Sequence, residues 1–215
     1  MPQSQHDSVE ETGIGQDPAT GGMFLQWYSV PGAVGYKVYR SDTSDVKGMP
    51  LLFALVADVA SASGLNDTSI VDRGATTGIR YYYYLEAYGH DNTYSSRSDT
   101  VDYELLQRPY IYPWGNSPRD DSKLVFNWVD RISGGYIVLR VKDVSDIPSQ
   151  YVWITPRFQM FGSSESYAKF NFDSTAISQL VSGHFYKWRV DRFGVDSTGR
   201  PYEGARSVWT TFSVK

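Results

Sequence analysis

Met23, Leu25 and Trp27 alternate with Phe24, Gln26 and Tyr28 in the first long apolar run of the chain. A period of two is the mark of a strand with one buried face. After Pro31-Gly32 a second alternating run covers Gly35 to Arg40, and Leu51 to Val59, Thr68 to Asp72, Tyr81 to Tyr88 and Ser98 to Leu106 follow. Clusters of Gly, Pro, Asn, Asp and Ser separate these runs, a spacing that predicts an all-β sandwich or barrel. Residues 1 to 21 are polar, with only Val9 and Ile14 isolated among them. That segment reads as a tether or as a weak first strand.

The pattern then recurs. Leu124 to Trp128 repeats the alternation of Met23 to Trp27, and Gly135 to Arg140 repeats Gly35 to Arg40 after 100 residues. Counting from Gly78, apolar side chains fall at Tyr81, Tyr83 and Leu85; from Gly183 they fall at Tyr186, Trp188 and Val190. Three matched segments in one order imply a duplication. The predicted organisation is a polar segment over 1–21, a first sandwich over 22–107 and a second over 109–215, joined at Gln107-Arg108-Pro109. The predicted core rings are Trp27, Tyr36, Tyr81, Tyr83, Trp128, Tyr136, Tyr186 and Trp188.

These segments resemble fibronectin type III domains from roughly Gly22 to the end of the chain. The resemblance is carried by the second-strand tryptophans Trp27 and Trp128, by the Tyr-x-Val strand that follows, and by the segment Leu180 to Tyr186. That last segment is similar to the family's Leu-x-Pro-Gly-Thr-x-Tyr corner, with Ser182 in place of Pro and His184 in place of Thr. Asp72 to Tyr81 is similar to a variant of the corner found in bacterial members, with Ala75 at the Leu position. In such a corner the Tyr ring is buried while its hydroxyl bonds to the preceding loop. The family implies two tandem immunoglobulin-like sandwiches of seven strands in two antiparallel sheets. The stretch Lys142 to Lys169 departs from it and predicts an extra hairpin or an elaborated edge, and the first strand of repeat one has to come from residues 1 to 21.

Composition narrows the function classes. Cysteine is absent, so disulfides, thiolate metal sites and Cys nucleophiles are all excluded. No apolar run approaches the roughly 18 residues of a membrane-spanning helix. Net charge is −4, and the chain up to Arg108 carries 7 basic against 14 acidic residues while the remainder carries 13 against 10. An acidic total argues against nucleic acid as partner, and halves of −7 and +3 reflect either ordinary surface drift or an attraction of one half for the other, within or between chains. The N-terminus has neither a basic head nor an apolar stretch, so any export signal is expected to be absent or removed.

Candidate chemistry is sparse. His6, His90 and His184 share no segment, so no metal site or relay is expected from them. Asp120-Asp121 are adjacent on a loop, an arrangement that suits a strand start better than paired-carboxylate catalysis. Asp191 to Gly199 carries oxygen donors but lacks the ladder of a Ca²⁺ loop, and a hairpin with a Gly turn accounts for it. Asn66-Asp67-Thr68 has the form of a glycosylation sequon. No Gly-x-Ser-x-Gly, P-loop or dinucleotide motif occurs. No catalytic, cofactor or metal residue is therefore assigned.

Thirty-three aromatic residues remain to be placed. Alternation sends Tyr82 and Tyr84 to the face opposite Tyr81 and Tyr83, and puts Tyr39 beside them. Tyr39, Tyr82 and Tyr84 form the candidate binding face, suited to a protein partner or to stacking on sugars; the alternative is cross-strand aromatic pairing that only strengthens the sheet. The resemblance implies a non-catalytic interaction or structural module, extracellular or on a cell surface, with a periplasmic or lipid-tethered setting as a variant. Two alternatives stand beside it: a carbohydrate-binding or spacer module accessory to a secreted hydrolase, and the subunit of a head-to-tail polymer.

Overall fold

The computed structural model describes residues 13–45, 47–60, 68–91, 93–112, 119–120, 124–131, 135–159 and 165–215. The described residues divide into two compact units, one formed by residues 13–106 with Asp196–Glu203, the other by Gln107–Val195 with Gly204–Lys215. All regular structure among the described residues is β.

In unit 1, β1 (Ile14–Gln16), β2 (Met23–Gln26) and β7 (Ser69–Asp72) make one antiparallel sheet in the order β1-β2-β7. The second sheet runs β9-β8-β3-β6, from β3 (Gly35–Ser41), β6 (Ala54–Ala60), β8 (Arg80–Tyr88) and β9 (Val101–Leu105). A small hairpin of β4 (Thr43–Ser44) and β5 (Pro50–Leu51) projects between β3 and β6. Met23, Leu25 and Ile14 from the first sheet meet Tyr36, Val38, Tyr83 and Leu85 from the second in one buried cluster. Ile14 pairs with Leu25 and is 3% exposed. The first strand of this sandwich therefore lies inside the 1–21 segment.

In unit 2, β10 (Tyr110–Ile111), β11 (Val125–Val129) and β15 (Glu165–Lys169) form the shorter sheet. The longer one has β12 (Tyr136–Asp143) and β16 (Phe185–Val195) at its centre. They are flanked by β13 (Gln150–Ile154), β14 (Phe158–Gln159) and β18 (Thr210–Ser213), and by β17 (Pro201–Arg206), of which Gly204–Arg206 belong to this unit. Phe126 and Trp128 of the first sheet pack on Leu139, Trp153 and Trp188 of the second. The stretch after Lys142 is thus the hairpin β12–β13 with β14 returning to β12, before the chain crosses to β15 on β11.

Both corners form. Thr76 N–H donates to the Tyr81 hydroxyl at 3.1 Å and Val181 N–H to the Tyr186 hydroxyl at 2.8 Å, each five residues upstream of its ring. Gly78 and Gly183, at φ +77° and +81°, make the turns before β8 and β16, a conformation that an L side chain resists. A third tyrosine, Tyr36, accepts from Val30 N–H at 2.7 Å while its ring is fully buried against Trp27.

The two repeats are out of phase at one strand. Tyr36 and Val38 face the core of unit 1, but in unit 2 it is Ile137, Leu139 and Val141 that do so. Tyr136 lies half-buried on the opposite face, stacked on Phe193 at 5.8 Å. Aligning Gly135 with Gly35 assigns Tyr136 to the core, and this assignment is corrected here. Every residue from Tyr136 to Leu139 is apolar, so either phase buries hydrophobic side chains and the alternation alone does not choose. The other seven predicted core rings lie in the two buried clusters.

Candidate functional site

The outer face of the long sheet in unit 1 carries the predicted tyrosines. Tyr39 pairs with Tyr84 across β3 and β8, and their rings stack at 4.8 Å. Tyr84 is only 9% exposed, because Phe53 packs edge-on at 4.7 Å and the Arg97 guanidinium lies 5.1 Å from its ring. It is therefore not available as a contact ring, contrary to the expectation of an open patch. Tyr39 and Tyr82 stay half-buried on this face. Burial, and then the neighbouring Glu86 carboxylate, push the Tyr39 hydroxyl above its ordinary pKa. Beyond them Lys37 donates to the Tyr94 hydroxyl at 2.8 Å and the Tyr88 hydroxyl donates to Asp58 at 2.9 Å. Most of the polar tips on this face thus already have partners.

The equivalent face of unit 2 differs in kind. Side chains at alternate positions of β12 and β16 project outward together: Arg140 beside Arg189, and Lys142 beside Lys187. Trp209, in the break between β17 and β18, lies under three of them. Its ring is 4.6 Å from the Arg189 guanidinium, 4.9 Å from Lys187 Nζ and 5.6 Å from Lys142 Nζ. Tyr151 of β13 takes the other side of Lys142 at 4.0 Å. Tyr151, Lys142, Trp209 and Lys187 are half-buried, so this strip of alternating rings and ammonium groups reaches the surface. Such cation–ring contacts contribute about 0.5–1 kcal/mol each where water still reaches them.

Beneath the strip lies a buried charge cluster. Asp191 is fully buried and accepts from Arg140 Nε at 2.7 Å, from Arg189 Nε at 2.7 Å and from Arg189 Nη2 at 2.9 Å. Burial is the largest single influence on this carboxylate and opposes its charge. Arg189, Arg140 and Arg206 together outweigh it and hold the group far below the ordinary carboxylate range. A second buried pair, Arg192 with Asp130 at 2.7 Å, lines the inner side of β16. Unit 1 has a looser counterpart, where Asp72 accepts from Arg40 at 2.8 Å and from the Tyr83 hydroxyl at 3.0 Å.

The weaker candidates from the sequence have local explanations. Asp196 accepts from Thr198 N–H, the Thr198 hydroxyl and Arg200 N–H in the turn after β16, and Asp191 is held by arginines, so this segment is a hairpin. His184 Nδ1 lies 2.8 Å from Asp143 Oδ2. Ser145 is nearby, but its hydroxyl accepts from Phe185 N–H at 2.8 Å and donates to Phe185 O at 3.4 Å. Asp143 thus stands between His184 and Ser145, from whose N–H it also accepts at 2.9 Å, whereas a nucleophilic relay places the histidine between carboxylate and hydroxyl. His90 is exposed on a turn. His6, Asp121, Asn66 and Asp67 lie outside the described residues. Among the described residues no group of three or more His, Asp or Glu side chains is placed to hold a metal ion, and no helix is long and apolar enough to cross a membrane.

The sequence reading missed the cation–ring strip. Arg140, Lys142, Lys187 and Arg189 are visible there as alternate charges in two runs that were otherwise read only for their apolar positions.

No family model matches the chain, and no curated protein does. Among solved structures, an Fn3-like protein from Clostridium thermocellum is 26% identical, over 45% of this chain and 88% of its own, with a TM-score of 0.33. The FN1–FN3 domains of chicken CNTN1 are 14% identical over 97% of this chain and 67% of theirs, with a TM-score of 0.37.

Proposed function

We propose that the chain is a non-catalytic interaction module of an extracellular or cell-surface assembly, and that it holds an acidic, extended protein segment along the strip of unit 2. One observation carries this reading: Tyr151, Lys142, Trp209 and Lys187 alternate ring and cation along a half-exposed sheet face. The rings fix the positions of the ammonium groups and offer flat apolar contact, so little side-chain freedom is lost when carboxylates dock. The arginines below add positive potential, which favours an acidic partner and its rate of encounter. The setting outside the cytoplasm rests on the family resemblance alone.

Carbohydrate recognition by Tyr39, Tyr82 and Tyr84 has less support, since the cover over Tyr84 removes one of three stacking rings. The discriminating experiment is fluorescence anisotropy with labelled acidic, neutral and basic peptides, alongside a glycan array. Binding of acidic peptides that falls with salt and is lost in the Lys142→Glu, Lys187→Glu double variant supports the proposal. Acidic peptides that bind the double variant as well as the parent, or bind neither, refute it; retention on glycans lost on Tyr39→Ala moves the assignment to sugars.

A further inference from the structure

Exposed aliphatic side chains are concentrated in one short segment of unit 1: Met49 is 61% exposed, Leu51 46%, Leu52 89% and Leu55 49%. The segment is held, not loose. Asp45 accepts from Lys47 N–H at 2.8 Å and Met49 N–H at 2.9 Å, the hydroxyls of Ser41 and Thr43 donate to the Leu51 carbonyl, and Phe53 is anchored on Tyr84. Leu52 has φ +44°, a left-handed conformation that costs a non-glycine residue roughly 1 kcal/mol. An apolar side chain kept in that conformation and turned to water is placed for contact.

Unit 2 offers a complementary recess. Phe158, Tyr167, Ala168, Lys169 and Phe172 line a groove of about 360 Å³ beside β15. Its rings are braced, with Phe172 edge-on to both Phe158 and Trp153 at 5.8 Å. Tyr167 is 73% exposed and Phe172 52%. Both features sit beside a strand that is last in its sheet among the described residues, β6 for the leucines and β15 for the groove. Charge agrees with shape: Asp42 precedes the protruding hairpin and Asp45 lies in its turn, Lys169 lines the groove, and the two halves of the chain carry −7 and +3.

We propose that the occupant of this groove is a second copy of the chain, whose Leu51 and Leu52 enter it while the edges of β6 and β15 come alongside. Such a contact joins different surfaces of the two copies, so it repeats and builds a head-to-tail series. One hairpin in one groove is a small interface of the kind found in weak, transient contacts. The inference concerns surfaces other than the Lys142–Lys187 strip and stands or falls separately from the proposed function.

The test is sedimentation velocity of the full chain from low to high micromolar concentration. Wild type is expected to form a series that grows past the dimer and shrinks with added salt. Leu52→Asp, at a site too exposed to disturb the core, and Tyr167→Asp each weaken association by about ten- to a hundred-fold, the loss expected for one buried apolar side chain. A mixture of the two variants retains one intact hairpin and one intact groove, so it stops at a one-to-one dimer. Wild type that stays monomeric, a mixture that stays monomeric, or a wild type that stops at a dimer each overturns the proposal; the last indicates a symmetric contact. Lys142→Glu with Lys187→Glu leaves the series unchanged, and Leu52→Asp leaves acidic-peptide binding unchanged, which keeps the two ideas distinguishable.

Discussion

Asp191→Asn removes one negative charge from a site where Arg140 and Arg189 make three hydrogen bonds to it and Arg206 adds a further positive charge. Asparagine keeps the shape but has one acceptor oxygen, and its amide donors face guanidinium donors. Hydrogen bonds to charged groups contribute about 1.5–3 kcal/mol each and are not additive. Breaking a buried ion pair from one side costs about 3–5 kcal/mol. A loss of about 3–5 kcal/mol in unit 2 follows, or a urea midpoint lower by roughly 1–5 M at about 1–3 kcal/mol per molar. Tryptophan emission is the right probe, because Trp128, Trp153 and Trp188 are all buried in unit 2. The pH dependence gives an independent reading. The folded-state pKa of Asp191 is depressed, so its stabilisation is fully present above the unfolded value of about 3.9 and is lost as pH falls from there toward the folded value. The acid limb of the stability curve flattens in the variant. A variant within about 1 kcal/mol of wild type at neutral pH, with an unchanged acid limb, refutes the view that this carboxylate organises the arginines.

Three further outcomes are expected. Tyr186→Phe keeps the ring but leaves Val181 N–H without its acceptor, lowering unit 2 stability by about 0.5–1.5 kcal/mol in the same urea assay. Leu52→Gly relieves the left-handed backbone and raises thermal stability of unit 1 by a fraction of a kcal/mol up to about 1 kcal/mol, while weakening self-association in the ultracentrifuge. Gly35→Ala places a methyl group 2.2 Å from the Tyr88 hydroxyl oxygen and 2.3 Å from Cζ; the ring has to leave Asp58, and calorimetry should show unit 1 destabilised by about 1–3 kcal/mol.

Strands with strict alternation were legible from sequence, because Met23 to Trp27 or Tyr81 to Leu85 bury one face and only one phase suits them. The corners were legible for the same reason, a Gly at a fixed distance before a Tyr. Two features were not. At Tyr136 to Leu139 both phases are apolar, and the decision falls to cross-strand neighbours such as Arg192 and Phe193, which no local pattern contains. The state of Tyr84 depended on Phe53 and Arg97, which reach it from separate segments. The cation–ring strip likewise joins β12, β13, β16 and Trp209 across more than 60 residues of sequence.

The phase difference between β3 and β12 bears on how a duplicated chain avoids confusing its own halves. Tandem domains of similar sequence are prone to exchanging strands while they fold. If β12 took the place of β3 in the register that its Gly-Tyr start invites, Ile137 and Leu139 would leave the core for the half-exposed positions of Lys37 and Tyr39. Each such exposure costs up to about 1.5–3 kcal/mol. One residue of slippage between the copies thus works as a key: each strand fits its own lock, and the trapped, cross-paired chain is the less stable product.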